Sequence, residues 1–246
     1  MSTHGLPPFD ARWAWFLDID GTLLDIAETP EAVEATRRQK SLVRKLHEAA
    51  GGALALVSGR SLEAIDELFA PLKLAAAGQH GIERRDAQGQ VHRGEYPREP
   101  LRRAAQTIAD FASSHEGLVF EDKGTSFSLH YRLAPALAER ANAVVRDAAA
   151  SLGDWVEVQK GKMVVELKPA GRDKGVAIDE FLREQPFAGR SPVFIGDDIT
   201  DEHGFRVVNA AGGHSIKVGD GRTRARWQVA DPSAVRAWLE QCVSGG

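Results

Sequence analysis

Short apolar runs recur near both ends of the chain: Trp13-Ala14-Trp15-Phe16-Leu17, Ala53-Leu54-Ala55-Leu56-Val57, Leu74 to Ala77, Pro192-Val193-Phe194-Ile195 and Ser215-Ile216-Lys217-Val218. Runs of four or five such residues, bounded by turn formers, predict strands covered on both faces, as in parallel sheets. Longer mixed segments lie between them. Glu31 to Ala50 carries apolar Val33, Leu42, Val43 and Leu46 among charges and stops at Gly51-Gly52, as a helix does. Ser61 to Phe69 reads as a second helix closed by Pro71. The alternation of strand and helix predicts an α/β fold with a mostly parallel sheet.

The rhythm changes from about Ile82. Arg84 to His92 is polar around a central Gly89 and predicts a hairpin. A helix over Glu99 to Ser114, a strand Leu118 to Glu121 and the alternating segment Ser126 to Arg132 follow. In that segment Phe127, Leu129 and Tyr131 share one face, and Ser126, Ser128, His130 and Arg132 share the other, the mark of a half-buried antiparallel strand. A helix over Pro135 to Leu152 leads into Trp155 to Gln159 and Met163 to Lys168, joined as a hairpin. The pattern places an inserted α+β domain at 83–169, with the core formed by 1–82 and 170–246.

Composition narrows the class. With 43% hydrophobic residues, 246 residues suffice for a packed core and an insert. A net charge of -4 offers no basic field for a nucleic acid. No apolar stretch is long enough to span a bilayer, so no membrane is expected. The single cysteine, Cys242, excludes an internal disulfide and suits a reducing, cytoplasmic setting. The expected state is monomeric.

Candidate chemistry gathers where the predicted strands end. Asp18-Ile19-Asp20-Gly21-Thr22 follows the first strand directly. A carboxylate there can attack phosphorus, its neighbour two residues on can handle a proton, and the pair can hold a hard divalent cation. Ser58 ends the next buried strand, where its hydroxyl could bond a phosphoryl oxygen or serve a turn. Lys174 opens a helix, a place where positive charge is unfavourable unless an anion sits beside it; a solvated lysine is the alternative. Gly196-Asp197-Asp198-Ile199-Thr200-Asp201-Glu202 sets several acids at another strand end, which is costly without a cation, although Thr200 or Asp201 could cap a helix. His80 and His130 read as packed or hydrogen-bonded residues, and the five tryptophans as core.

In this order, acid pair, serine, lysine and acid cluster, the chain resembles the haloacid dehalogenase superfamily of aspartate-nucleophile phosphatases. The insert resembles its C2B-type cap. Gly78-Gln79-His80-Gly81, Glu121-Asp122-Lys123-Gly124, His130-Tyr131-Arg132 and Lys162-Met163-Val164-Val165-Glu166 are similar to motifs of the trehalose-6-phosphate phosphatase family. The resemblance implies a Rossmann-like core and an aspartyl-phosphate on Asp18, with Asp20 as acid and base and Ser58 and Lys174 gripping the phosphoryl group. It implies Mg²⁺ on Asp18, Asp197 and the Asp20 carbonyl, with Asp198 and Asp201 in support. It also implies that Glu121, Lys123, Arg132, Lys162 and Glu166 bind the hydroxyls of a small-molecule sugar phosphate, trehalose 6-phosphate. Related capped enzymes act on other sugar phosphates such as sucrose phosphate, and a silent sensor is the rival of a different class. His203-Gly204 after Glu202 departs from the family pattern.

Overall fold

A computed structural model describes residues 5–27, 32–161 and 163–244. The chain divides into two compact units, Met1–Arg93 with Asp173–Gly246, and Gly94–Arg172.

The first unit is built on an eight-stranded sheet. Its strands are β1 (Trp13–Leu17), β2 (Leu54–Val57), β3 (Ala75–Gly78), β4 (Glu83–Arg85), β5 (Val91–Arg93), β10 (Ser191–Gly196), β11 (His214–Val218) and β12 (Trp227–Val229), in the order β12-β11-β10-β1-β2-β3-β4-β5. All neighbours from β12 to β3 run parallel. The apolar runs are continuous because both faces are covered. Trp13, Trp15 and Leu17 pack with residues of α1 (Arg37–Ala49), α2 (Leu62–Phe69) and α7 (Pro232–Ser244). Ala14 and Phe16 point to the other side, against α5 (Lys174–Phe181) and α6 (Asp201–Ala210).

The sequence differs from the structure at two places in this unit. The hairpin at 83–93 extends the main sheet by antiparallel pairing on β3 and belongs to the first unit, so the insert opens at Gly94 and ends at Arg172. Its charges mimic an exposed hairpin, yet Arg84 and Arg85 are buried and each is clamped, by Glu184 at 2.7 Å and Asp66 at 2.6 Å. Helix α1 starts at Arg37 instead of Glu31, which lies outside the described residues. Thr36 sets the start through a capping box with Gln39.

The second unit follows the order α3 (Arg98–Ser113), β6 (Val119–Asp122), β7 (Phe127–His130), α4 (Ala138–Ala150), β8 (Val156–Gly161) and β9 (Val164–Pro169). Its four strands form an antiparallel sheet ordered β6-β7-β9-β8. Phe127, Leu129, Val165 and Leu167 pack with Leu101, Ile108, Ala141 and Val145 of the two helices. The fold class read from the sequence, a mostly parallel α/β core with an αββαββ insert, is the one observed. Among the described residues no helix is long and apolar enough to cross a membrane.

Candidate active site

The chain reverses its direction of travel across the main sheet at β1, which has β2 on one side and β10 on the other. The crevice beyond the carboxyl ends of strands at such a switch point is where open α/β sheets bind ligands. Register fixes what meets there. Leu17 is level with Ile195 and with Leu56, and the Asp18 N–H donates to the Ile195 carbonyl at 3.0 Å. Asp18 therefore emerges beside the Gly196-Asp197 loop on one side and the Val57-Ser58 loop on the other.

Asp18, Lys174 and Asp201 form a buried triad. The Lys174 Nζ donates to Asp18 Oδ1 and to Asp201 Oδ1, both at 2.7 Å, and the Thr22 hydroxyl donates to Asp18 Oδ2 at 3.0 Å. A lysine in the first position of α5 is thus explained by two carboxylates; the Asp173 cap accepts the Val176 N–H at 2.8 Å beside it. Burial works against the Lys174 charge, but the two acids outweigh it and raise its pKa. Close helix packing brings these groups together. A Cβ on Gly175 would lie 2.6 Å from the His203 carbonyl oxygen, and one on Gly204 would lie 2.3 Å from the Phe194 ring. The absence of a side chain at Gly204 thus lets α6 sit down on β10.

Asp197 completes an acidic cluster, with one oxygen each of Asp18, Asp197 and Asp201 lying within 4.8 Å of one another. Burial pushes Asp197 up to about 6, with Asp201 adding to the effect, and burial with Asp201 and Asp197 pushes Asp18 well above the usual range against the pull of Lys174. Asp201 is already engaged: its Oδ2 accepts the backbone N–H groups of Asp197 at 2.9 Å and Asp198 at 2.8 Å, so it braces the loop. Gly21, at φ +78°, packs so closely that a Cβ there would lie 2.2 Å from Asp197 Oδ2. Partly paired, desolvated carboxylate oxygens of this kind fit Mg²⁺, a hard cation that takes oxygen donors.

Asp20 stands apart from that cluster. Its carboxylate is held by Arg60 through two bonds of 2.7 Å, from Nε to Oδ2 and from Nη2 to Oδ1. The Asp20 carboxylate is thus engaged by Arg60, and the expected metal role of Asp20 concerns its backbone carbonyl alone. Ser58 is buried, and its Oγ accepts the Arg60 N–H at 3.2 Å. Asp198 accepts the Ile199 N–H at 2.7 Å. Two site residues were missed in the sequence, Arg60 and Lys217. The Lys217 Nζ donates to the Asp197 carbonyl and, at 2.8 Å, to that of Val218. The one available signal was position: Arg60 and Lys217 sit in or beside the strand ends already picked out.

In the second unit, register places Glu121, Ser128, Glu166 and Gln159 in one row across the four strands. Lys123 Nζ lies 3.3 Å from Glu166 Oε1 and 3.6 Å from Glu121 Oε2, and donates to Ser128 Oγ at 3.2 Å. His130 Nε2 is 3.0 Å from Glu121 Oε2. Arg132 falls outside this group: β7 ends at His130, and Arg132 is exposed in the following turn. Lys162 lies outside the described residues.

A mostly parallel sheet thus delivers an acid pair, a buried lysine and a second acid cluster to one switch point, an arrangement that suits a phosphatase. The profile of the trehalose-phosphatase family matches residues 16–235, and the chain belongs to that family. It is 42% identical over 234 residues to the trehalose-6-phosphate phosphatase of Escherichia coli (strain K12), covering 95% of this chain and 88% of that protein. It is 48% identical over 209 residues to a probable trehalose-phosphate phosphatase of Sinorhizobium fredii (strain NBRC 101917 / NGR234), covering 85% and 78%. A crystal structure of a trehalose-6-phosphate phosphatase related protein superposes with a TM-score of 0.77 at 31% identity, covering 94% of this chain and 97% of that one.

Proposed function

We propose that this phosphatase hydrolyses trehalose 6-phosphate to trehalose and phosphate through an aspartyl-phosphate on Asp18, in a Mg²⁺-dependent reaction. The observation that carries the chemistry is the division of labour between the two acids: Asp18 is buried on Lys174, and Asp20 is held away from it by Arg60. An Asp18 oxygen attacks phosphorus and the bond from phosphorus to the sugar oxygen breaks. Asp20 gives that oxygen its proton. Asp20 then takes a proton from water as the water attacks the phosphoryl group, releasing phosphate and restoring Asp18. Lys174 and the Ser58 hydroxyl steady the phosphoryl oxygens through both steps. Asp18, Asp197 and the Asp20 carbonyl would hold Mg²⁺, which when bound offsets the charge of the phosphoryl group.

Substrate choice rests on the polar row of the second unit. Two glutamates and a lysine interlocked with Ser128 present both acceptors and donors, which suits a neutral polyhydroxyl better than a second anion. Glu121, Lys123 and Glu166 take the sugar hydroxyls, with Arg132 and Lys162 assigned to the same task. A lone cysteine, Cys242, with no second cysteine to pair with suits a cytoplasmic setting. Phosphate release across a panel of sugar phosphates tests the substrate. Trehalose 6-phosphate should be preferred, and a clear preference for sucrose phosphate or a monosaccharide phosphate would contradict the reading.

A further inference from the structure

Glu83 is a buried carboxylate in β4 with no assigned part in the reaction, and its contacts converge on the loop that carries Arg60. Its Oε1 accepts the Leu62 N–H at 2.8 Å, at the first residue of α2, and the Gln79 side-chain N–H at 3.3 Å. Its Oε2 accepts from Arg93 Nε at 2.8 Å. Gln79 is itself tied to the loop, since its backbone N–H donates to the Arg60 carbonyl at 2.8 Å. The approach is tight. A Cβ on Gly78 would lie 2.9 Å from the Arg60 oxygen, 2.9 Å from the Leu62 nitrogen and 3.0 Å from Glu83 Oε1. The segment 60–62 is therefore held on both sides of Ser61, at Leu62 by the Glu83 carboxylate and at Arg60 by the backbone of Gln79, whose side chain donates to that same carboxylate; Arg60 leaves this segment to grip Asp20.

We infer that Glu83 is a positioning residue for proton transfer: it fixes the backbone that presents Arg60, and Arg60 fixes the Asp20 carboxylate. The inference rests on the reading of Asp20 as acid and base given above. Asp20 needs this help because it is the more exposed acid of the pair, 36% against 5% for the side chain of Asp18, and its carboxylate is oriented by Arg60. A planar guanidinium meeting both oxygens fixes direction as well as place, which a lysine could not do.

The leaving group separates positioning from simple loss of fold. A sugar alkoxide needs its proton from Asp20 as the bond breaks, whereas p-nitrophenolate is stable as an anion and leaves without one. In the full chain with Mg²⁺, Glu83→Ala should slow phosphoryl transfer from trehalose 6-phosphate about tenfold to a hundredfold. The pre-steady-state burst of p-nitrophenolate from p-nitrophenyl phosphate should stay within about threefold of wild type. Glu83→Gln, which keeps an oxygen for the Leu62 N–H, should show the same split at smaller size and decides the matter if the alanine variant unfolds. Arg60→Lys should restore part of what Arg60→Ala loses on the sugar phosphate. Equal losses on both substrates, or none on either, in the Glu83 variants would overturn the proposal. Asp20→Asn separates the two layers: if it leaves the ratio of the two substrates unchanged, the reading of Asp20 fails. If it alone shifts the ratio, only the Glu83 inference fails.

Discussion

Replacing Lys174 by methionine tests the buried triad in isolation from turnover. The side chain keeps its length and loses the ammonium that faces Asp18 and Asp201 at 2.7 Å each. Both acids are nearly inaccessible, at 4% and 0% exposure, so the variant is left with two carboxylates that water cannot reach. Removing one partner of a buried ion pair costs about 3–5 kcal/mol, because the remaining charge stays desolvated and unpaired. For a chain of this size each kcal/mol shifts the melting point by about 2–4 °C, so the transition of the first unit should fall by about 6–20 °C with chelator present. The deficit should depend on pH, and the sign follows from the direction of the shifts. Burial already raises Asp18 in the folded state and pushes Asp197 up to about 6, and removal of Lys174 raises both further. Groups with folded pKa values above the unfolded ones favour the native state at low pH and lose that contribution as pH rises through the folded value. The variant should therefore be closest to wild type near about pH 5 and furthest from it near about pH 8. Urea melts at both pH values provide the assay. A deficit under about 1 kcal/mol at the higher pH, or one that does not change with pH, would refute the claim that Lys174 holds a desolvated acid cluster together.

Gly21→Ala should weaken Mg²⁺ activation about tenfold to a hundredfold, because its Cβ would lie 2.2 Å from Asp197 Oδ2; a Mg²⁺ titration of phosphate release reads this. Glu121→Ala should raise KM for trehalose 6-phosphate about tenfold and leave turnover of p-nitrophenyl phosphate close to wild type, as steady-state kinetics on both substrates will show. Burial pushes the Cys242 thiol up to about 12, so iodoacetamide at about pH 8 should leave the native enzyme unlabelled and label it fully in urea, read by intact mass.

Much of the site was legible because it obeys a local rule. Asp18, Ser58 and Asp197 each follow a run of apolar residues that can only be a covered strand, and parallel strands deliver their ends to one edge. Lys174 stood out for a charge that its helix position disfavours. The partners of these residues were harder to read. Arg60 reaches Asp20 across 40 positions and Lys217 reaches the Asp197 carbonyl across 20, and neither contact leaves a periodic trace. Arg84 and Arg85 misled more actively. Adjacent charges suggest a polar hairpin of the insert, and only the distant partners Glu184 and Asp66 make a buried strand of the main sheet of them. Arg132 continues the alternation of β7 in sequence, but the turn closed by the Ala134 N–H on the Tyr131 carbonyl ends the strand before it.

The central claim is that Asp18 carries the phosphoryl group. Acid quenching of the enzyme during turnover of trehalose 6-phosphate with Mg²⁺, followed by peptide mapping, measures it directly. The account predicts one phosphoryl group on Asp18 of the peptide containing Asp18 and Asp20, with none on an Asp18→Asn variant that folds normally and does not turn over. A phosphoryl group on another residue, or undiminished turnover by Asp18→Asn, would contradict it.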